Sequence, residues 1–222
     1  MTAAKVALAS EPLAYQRASP GTAIASEDVE PSQLPWPRRS FFVRDLLSRL
    51  GRRRFGAETA LIVAVAAAHP AVDRIKRAYN RASPPDLPLH ITLLYPFVPP
   101  QRIDETVDAQ LREFFASRRA FRYRLDQIER FPRALYLVPR PAEPFVAITR
   151  DIVRRWPAYQ PYAGQVAEVV PHVTIATRRV PQAEIDALSA VLPLEVAADQ
   201  AQLLRLAPGG GWSLMRAYAF GV

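Results

Sequence analysis

Residues 89–97 read LHITLLYPF, a histidine and a threonine two positions apart inside an apolar run that meets proline at 96. Side chains alternate along a strand, so His90 and Thr92 project from one face while Ile91 and Leu93 project from the other. A polar face and an apolar face within four residues suit a strand that floors a cleft. Carrying the alternation onward sends Tyr95 and Phe97 to the Ile91 side, which reads as core packing rather than base stacking. The frame returns at residues 171–178, PHVTIATR, where His172 and Thr174 repeat the spacing 82 residues later. The chain of 222 residues holds three histidines and eight threonines. The chance that two of three histidines acquire a threonine at +2 is roughly half a per cent, so the pair is a signal where a single copy would not be. The third histidine, His69, precedes Pro70 and has no such threonine; it reads as a turn residue.

Working outward, the chain is regular from Thr59. TALIVAVAA reads as a buried strand, and PAVDRIKRAYNRA (70–82) as a helix with proline in its first turn and Val72, Ile75 and Tyr79 on one face. Ile103, Val107, Leu111 and Phe114 mark the next helix. Phe121, Tyr123, Leu125 and Gln127 alternate as a strand, and ALYLVP follows Pro132-Arg133 as its hairpin partner. The second half runs in a similar order: a helix in EPFVAITRDIVRRW, a strand in EVVPHVTIATR, a helix in PQAEIDALSAVL, a strand in LEVAADQAQLLRLA, a turn at Gly209–Gly211, and WSLMRAYAF as the last strand. Each half thus presents a His-x-Thr strand, a helix after it and a strand pair. The expected fold class is α+β, a bilobal duplicated fold with two antiparallel-rich sheets flanked by helices around a central groove.

The regular region, residues 59–222, is one expected domain. Residues 1–37 lack a sustained period and read as a flexible tail. Residues 38–58 read as a basic amphipathic helical extension, with Ser40 as cap, Phe42, Leu46, Leu47 and Leu50 at helical spacing, and Gly51 as terminator. Docking on the domain is its favoured role over a basic contact to RNA or membrane. The chain has no cysteine, which removes disulfides and thiolate metal sites. Its net charge of +8 divides between both parts: nine basic against six acidic groups in residues 1–58, and twenty against fifteen in residues 59–222. That favours a polyanionic partner no more than it favours a solvated cationic surface. No run reaches the ~18 apolar residues of a membrane span. Arg38–Arg44 followed by Ala60–Ala68 imitates an export signal, but Asp45, Arg49 and Arg52–Arg54 break the apolar region. A cytoplasmic monomer is expected.

Two imidazoles on opposite sides of a phosphodiester can divide the chemistry. One takes a proton from the attacking hydroxyl or water and the other gives a proton to the departing oxygen. The threonine hydroxyls on the same faces can donate to the non-bridging oxygens and hold the phosphorus in line. Neither a metal nor a cofactor is needed, and a zinc site built from the three histidines would leave both threonines unexplained. Phe131 and Tyr136, on the hairpin expected to border the groove, are candidate base-stacking residues. Arg130 and Arg133 flank that hairpin as solvated charges.

HITL and HVTI resemble the paired His-x-Thr motifs of the 2H phosphoesterase superfamily. HITLLYPFVPP and VVPHVTIA are most similar to its bacterial 2′-5′ RNA ligase-like branch. The resemblance covers about residues 59–222 and implies a bilobal fold with a central groove. It further implies His90 and His172 as the catalytic pair, and Thr92 and Thr174 as phosphate-binding hydroxyls. Several relatives have arginine directly after HxTxA, where this chain has Thr177; Arg178 follows, on the His172 side by parity, as a candidate substrate contact. The implied activity is metal-independent hydrolysis of a 2′,3′-cyclic phosphate on an RNA or nucleotide end, with 2′-5′ RNA ligation as a further activity. The alternatives are cleavage of linear 2′-5′ or 3′-5′ linkages, and a non-catalytic RNA-binding module on the same fold.

Overall fold

A computed structural model describes residues 58–66, 69–81, 83–84, 87–166, 169–208 and 210–221. The tail expected over 1–37 and the helical extension expected over 38–58 lie outside the described residues, except Glu58, which opens the first strand. Eight strands follow in chain order: β1 (Glu58–Ala64), β2 (His90–Leu94), β3 (Phe121–Phe131), β4 (Ala134–Arg140), β5 (Val173–Ala176), β6 (Leu194–Ala198), β7 (Gln200–Leu206) and β8 (Trp212–Ala219). The α-helices are α1 (Pro70–Tyr79), α2 (Glu105–Ala116), α3 (Glu143–Arg155) and α4 (Gln182–Ser189). Among the described residues no helix is long and apolar enough to cross a membrane.

Two of the helices, α1 and α2, start on side-chain caps. The His69 ring accepts from the Ala71 N–H at 3.2 Å ahead of Pro70, and the Asp104 carboxylate accepts from Val107 N–H at 2.8 Å. The apolar faces of all four helices, including Val72 and Ile75, Leu111 and Phe115, Phe145 and Ile152, Ile185 and Leu188, join one core cluster. Leu61, Val63, Ile91, Leu93, Leu137, Val173 and Ile175 enter the same cluster from the sheet. The helices therefore pack on the Ile91 face, and the His90 face is turned away from them.

The two expected sheets are one. The strand order is β6-β3-β4-β5-β2-β1-β7-β8, and every pairing between strands is antiparallel. The two His-x-Thr strands join the halves, pairing at Ile91 and Val173. A second correction concerns LEVAADQAQLLRLA, which is two strands. β6 lines one margin of the sheet and β7 pairs with β1 near the other, with only Asp199 between them. So short a link requires the sheet to curl until its margins meet. Phe220 N–H donates to the Asp199 carbonyl at 2.7 Å, and Ala120 N–H donates to the Gly221 carbonyl at 3.0 Å.

A third correction lies at the end of β2. Ile62 faces Thr92 but Leu61 faces Leu94, so one extra residue is accommodated there as a bulge. The bulge reverses the alternation. Leu93 and Leu94 both enter the main core, and Tyr95 joins a smaller apolar cluster with Ala60, Ile62, Leu87 and Leu204. Tyr95 is buried as expected, but with the neighbours of Thr92 rather than those of Ile91. Its hydroxyl donates to Glu58. Phe97 lies in the main core.

Candidate active site

Ile91 and Val173 oppose each other in an antiparallel pair. One step along each strand sets His90 against Thr174, and one step back sets Thr92 against His172. Opposed residues share a face, so the four side chains form one patch, with the histidines on its diagonal, about 7–8 Å apart in a regular ladder. All four are half-buried, whereas Ile91, Leu93, Val173 and Ile175 are at most 1% exposed. The alternation read from HITL and HVTI therefore holds at both strands, although His172 sits one residue before β5 begins.

Each ring is fixed in the same way. The His90 Nδ1–H donates to the Pro88 carbonyl at 2.8 Å, and the His172 Nδ1–H donates to the Val170 carbonyl at 2.7 Å. A carbonyl can only accept, so Nδ1 carries the hydrogen and Nε2 of the neutral ring keeps its lone pair. Burial lowers the pKa of His90 to about 4, against the raising effect of the Pro88 carbonyl, and the neighbouring charges of His172 and Lys76 lower it further. Burial also lowers that of His172, again partly opposed by its carbonyl partner. Both imidazoles are thus bases first, and one must gain a proton before it can act as an acid.

The surroundings of the two histidines differ. Beside His172, Phe131 and Tyr136 stack on each other at 4.1 Å, and both meet the imidazole edge to face at 5.1 and 5.4 Å. Tyr136 opposes Thr174 across β4 and β5. It is only 4% exposed, and its hydroxyl donates to Glu129 at 2.7 Å. Phe131 is half-buried and is the member of the stack with free surface. Arg178 is exposed, two residues past the end of β5, where strand parity no longer applies. Arg130 and Arg133 are exposed on the hairpin.

Three neighbours were not anticipated. Lys76 donates to the Leu87 carbonyl and lies close enough to His90 to disfavour its protonation. No local pattern singles Lys76 out, since the scarcity of lysine in this arginine-rich chain reads as a coding bias. Asn80, capping α1, donates from Nδ2 to the Thr174 carbonyl and accepts from the Thr177 hydroxyl, both at 3.5 Å. Tyr162 packs on the small apolar cluster that contains Ile62, the β1 partner of Thr92. It lies in a turn where Tyr162 and Ala163 have φ of 51° and 54°, a left-handed conformation that costs non-glycine residues about 1–2 kcal/mol each. Pro161 and Gly164 announce a turn, but nothing local announces its target.

The model of the 2′-5′ RNA ligase superfamily matches residues 64–210, a span that contains both His-x-Thr strands. The chain belongs to that superfamily, within the 2H phosphoesterases, and membership points to phosphodiester chemistry, hydrolytic or ligating. Comparison with curated proteins returns no match. Among solved structures, the chain is similar to E. coli LigT complexed with 3′-AMP at 16% identity, over 75% of this chain and 99% of that one, with a TM-score of 0.46. It is also similar to LigT complexed with NADP+, at 15% identity over 75% and 99% with a TM-score of 0.45. The protein TT0787 of Thermus thermophilus aligns at 20% identity over 73% and 97%, with a TM-score of 0.47.

Proposed function

We propose that the protein is a metal-independent phosphodiesterase that opens a 2′,3′-cyclic phosphate on an RNA or nucleotide end. The observation that carries this reading is the pair of histidines, each with Nδ1 spent on a backbone carbonyl and a threonine two residues on, all on one face where β2 meets β5 and the residue before it. In the reaction, the water oxygen bonds to phosphorus and the bond from phosphorus to O2′ or O3′ breaks. The neutral imidazole takes the water proton at Nε2, and the protonated one gives its proton to the leaving oxygen. Thr92 and Thr174 donate to the non-bridging oxygens as charge builds on them. Solvent then returns the two rings to their starting protonation. With the 5′-hydroxyl of a second RNA in place of water, the same groups would form a 2′-5′ linkage.

Phe131 is the surface on which a nucleobase would stack, with Tyr136 as its backing, and Arg178 is a candidate contact for the RNA backbone. The reading takes the protein to act as a cytoplasmic monomer. The test is turnover of a short RNA ending in a 2′,3′-cyclic phosphate with EDTA present, comparing wild type with His90→Ala and His172→Ala. Each variant should lose about 10³-fold or more in kcat, the scale of a lost acid or base. An inactive wild type that still binds the RNA would turn attention to linear linkages or to a binding role. Activity abolished by EDTA would remove the metal-independent mechanism.

A further inference from the structure

We propose that Lys76 is a positioning residue that pins the backbone just upstream of β2, so that the Pro88 carbonyl stays aimed at His90 Nδ1 and the ring presents its Nε2 lone pair to the site. Its effect on rate rests on the phosphodiester reading above; its effect on the ring does not.

A neutral imidazole has one hydrogen for two nitrogens, and the partner of one nitrogen decides what the other can do. Nε2 of His90 is a lone pair because Nδ1–H donates to the Pro88 carbonyl at 2.8 Å. That carbonyl belongs to the segment before β2, which begins only at His90, so the strand ladder does not hold it. Three successive carbonyls of this segment are held in other ways. The Leu87 carbonyl accepts from Lys76 Nζ, the Pro88 carbonyl from His90, and the Leu89 carbonyl from Val65 N–H at 2.7 Å. Between the first and the last, the Pro88 ring sets its own φ at about −65°. With the peptide planes on both sides anchored, the middle carbonyl has little freedom to turn.

Lys76 is a suitable anchor because its helix is itself fixed. Val72 and Ile75 of α1 lie in the main core, and the His69 ring caps the first turn. The Lys76 side chain is half-buried, and a bond from an ionised donor is roughly twice as strong as a neutral one. Its charge also disfavours protonation of His90, so both effects favour the neutral ring. At His172 the arrangement differs. The orienting carbonyl is that of Val170, a buried Pro171 follows it, and Phe131 and Tyr136 abut the ring. Lys76 therefore acts on one histidine of the pair.

The experiment reads the ring nitrogens of isotope-labelled histidine by NMR at a pH of about 8, where the rings are neutral. His90 and His172 should show Nδ1–H, whereas His69, which accepts at Nδ1 from Ala71 N–H, should show Nε2–H. Lys76→Met keeps an apolar stem and removes the donor. It should move His90 towards a mixture of tautomers and leave His172 and His69 unchanged. Its kcat on the cyclic-phosphate RNA should fall about fivefold or more with KM within about twofold, as for a slightly misaimed reacting group. Lys76→Arg keeps a charged donor and should hold His90 nearer the wild-type pattern. An unchanged His90 pattern in Lys76→Met would overturn the proposal, and so would equal changes at His90 and His172, or an arginine variant no better than the methionine one. A kcat that stays at the level of an active wild type overturns it too. If the wild type turns over no phosphodiester, the functional reading fails and the nitrogen patterns alone decide. Should Lys76→Met not fold, the decision passes to the wild type: a hydrogen-bond coupling between Lys76 Nζ and the Leu87 carbonyl carbon supports the proposal, and its absence overturns it.

Discussion

His90 and His172 begin as chemically identical side chains and stay nearly so, since each donates from Nδ1 to the carbonyl two residues upstream. Burial lowers both below the ordinary histidine pKa, His90 to about 4. The proposed reaction would need one neutral and one protonated ring, a form most populated between the two macroscopic pKa values of the pair. Both values lie on the acid side of 6.5, so kcat/KM for the free enzyme should peak below pH 6.5 and fall about tenfold per unit well above the peak. A bound phosphodiester anion favours imidazolium and should move the kcat profile to higher pH than the kcat/KM profile. Initial rates from pH 4.5 to 8.5 check both statements; a summit near pH 8 in kcat/KM would contradict the burial of the pair. His69 shows the other fate of a histidine, with its ring spent on capping α1.

At the scale of elements, β2 decides the site because it stops being regular at the right place. Its bulge sends Leu93 and Leu94 to the core and Tyr95 to the side of Thr92. The Leu93 carbonyl at the bulge accepts from the buried Thr149 hydroxyl of α3 at 2.9 Å. Thr149→Val should leave that carbonyl unsatisfied and cost about 1–2 kcal/mol. For a chain of this size the melting temperature should drop by roughly 2–4 °C for each kcal/mol. The β3–β4 hairpin makes a separate contribution through Phe131, which stacks on Tyr136 at 4.1 Å. Phe131→Leu keeps an apolar cover over Tyr136 but loses the flat face. Its KM for RNA should rise about five- to tenfold, within the worth of one base stack, while affinity for inorganic phosphate stays unchanged. An unchanged KM would take the base away from this hairpin.

For the molecule as a whole, the curl of the single sheet brings β8 back to the start of β3. Gly221 forms a parallel bridge with Arg119 there, and its N–H donates to the Arg118 carbonyl at 2.6 Å. A Cβ at Gly221 would collide with the Ala116 carbonyl oxygen, a backbone atom that cannot swing aside. Gly221→Ala should therefore destabilise the fold by about 1–3 kcal/mol, as overpacking does, and thermal melts would register it. The four site side chains lie on β2, on β5 and, for His172, just before β5, away from this closure, so the folded fraction of the variant should retain the wild-type KM.

Alternation within HITL and HVTI is a local property of a pleated strand, and it was enough to place His90 and Thr92, then His172 and Thr174, on one face each. Helical spacing likewise located α1 to α4 to within a few residues, because amphipathic faces are written in consecutive positions. Whatever depended on partners distant in the chain was not legible. No local pattern says that β2 pairs with β5 and so merges two expected sheets into one, or that one residue, Asp199, separates strands belonging to different regions of the sheet. The bulge that turned Tyr95 to the other face depends on the partner strand β1, and the packing of Tyr162 on the small cluster beside Thr92 depends on a turn far along the chain. The sequence by itself determined which groups the candidate site holds, two histidines and two threonines in strand frame, because residue type and parity are local. Only the tertiary structure decided how those groups are held and which neighbours tune them, because burial and hydrogen bonding are relations between segments.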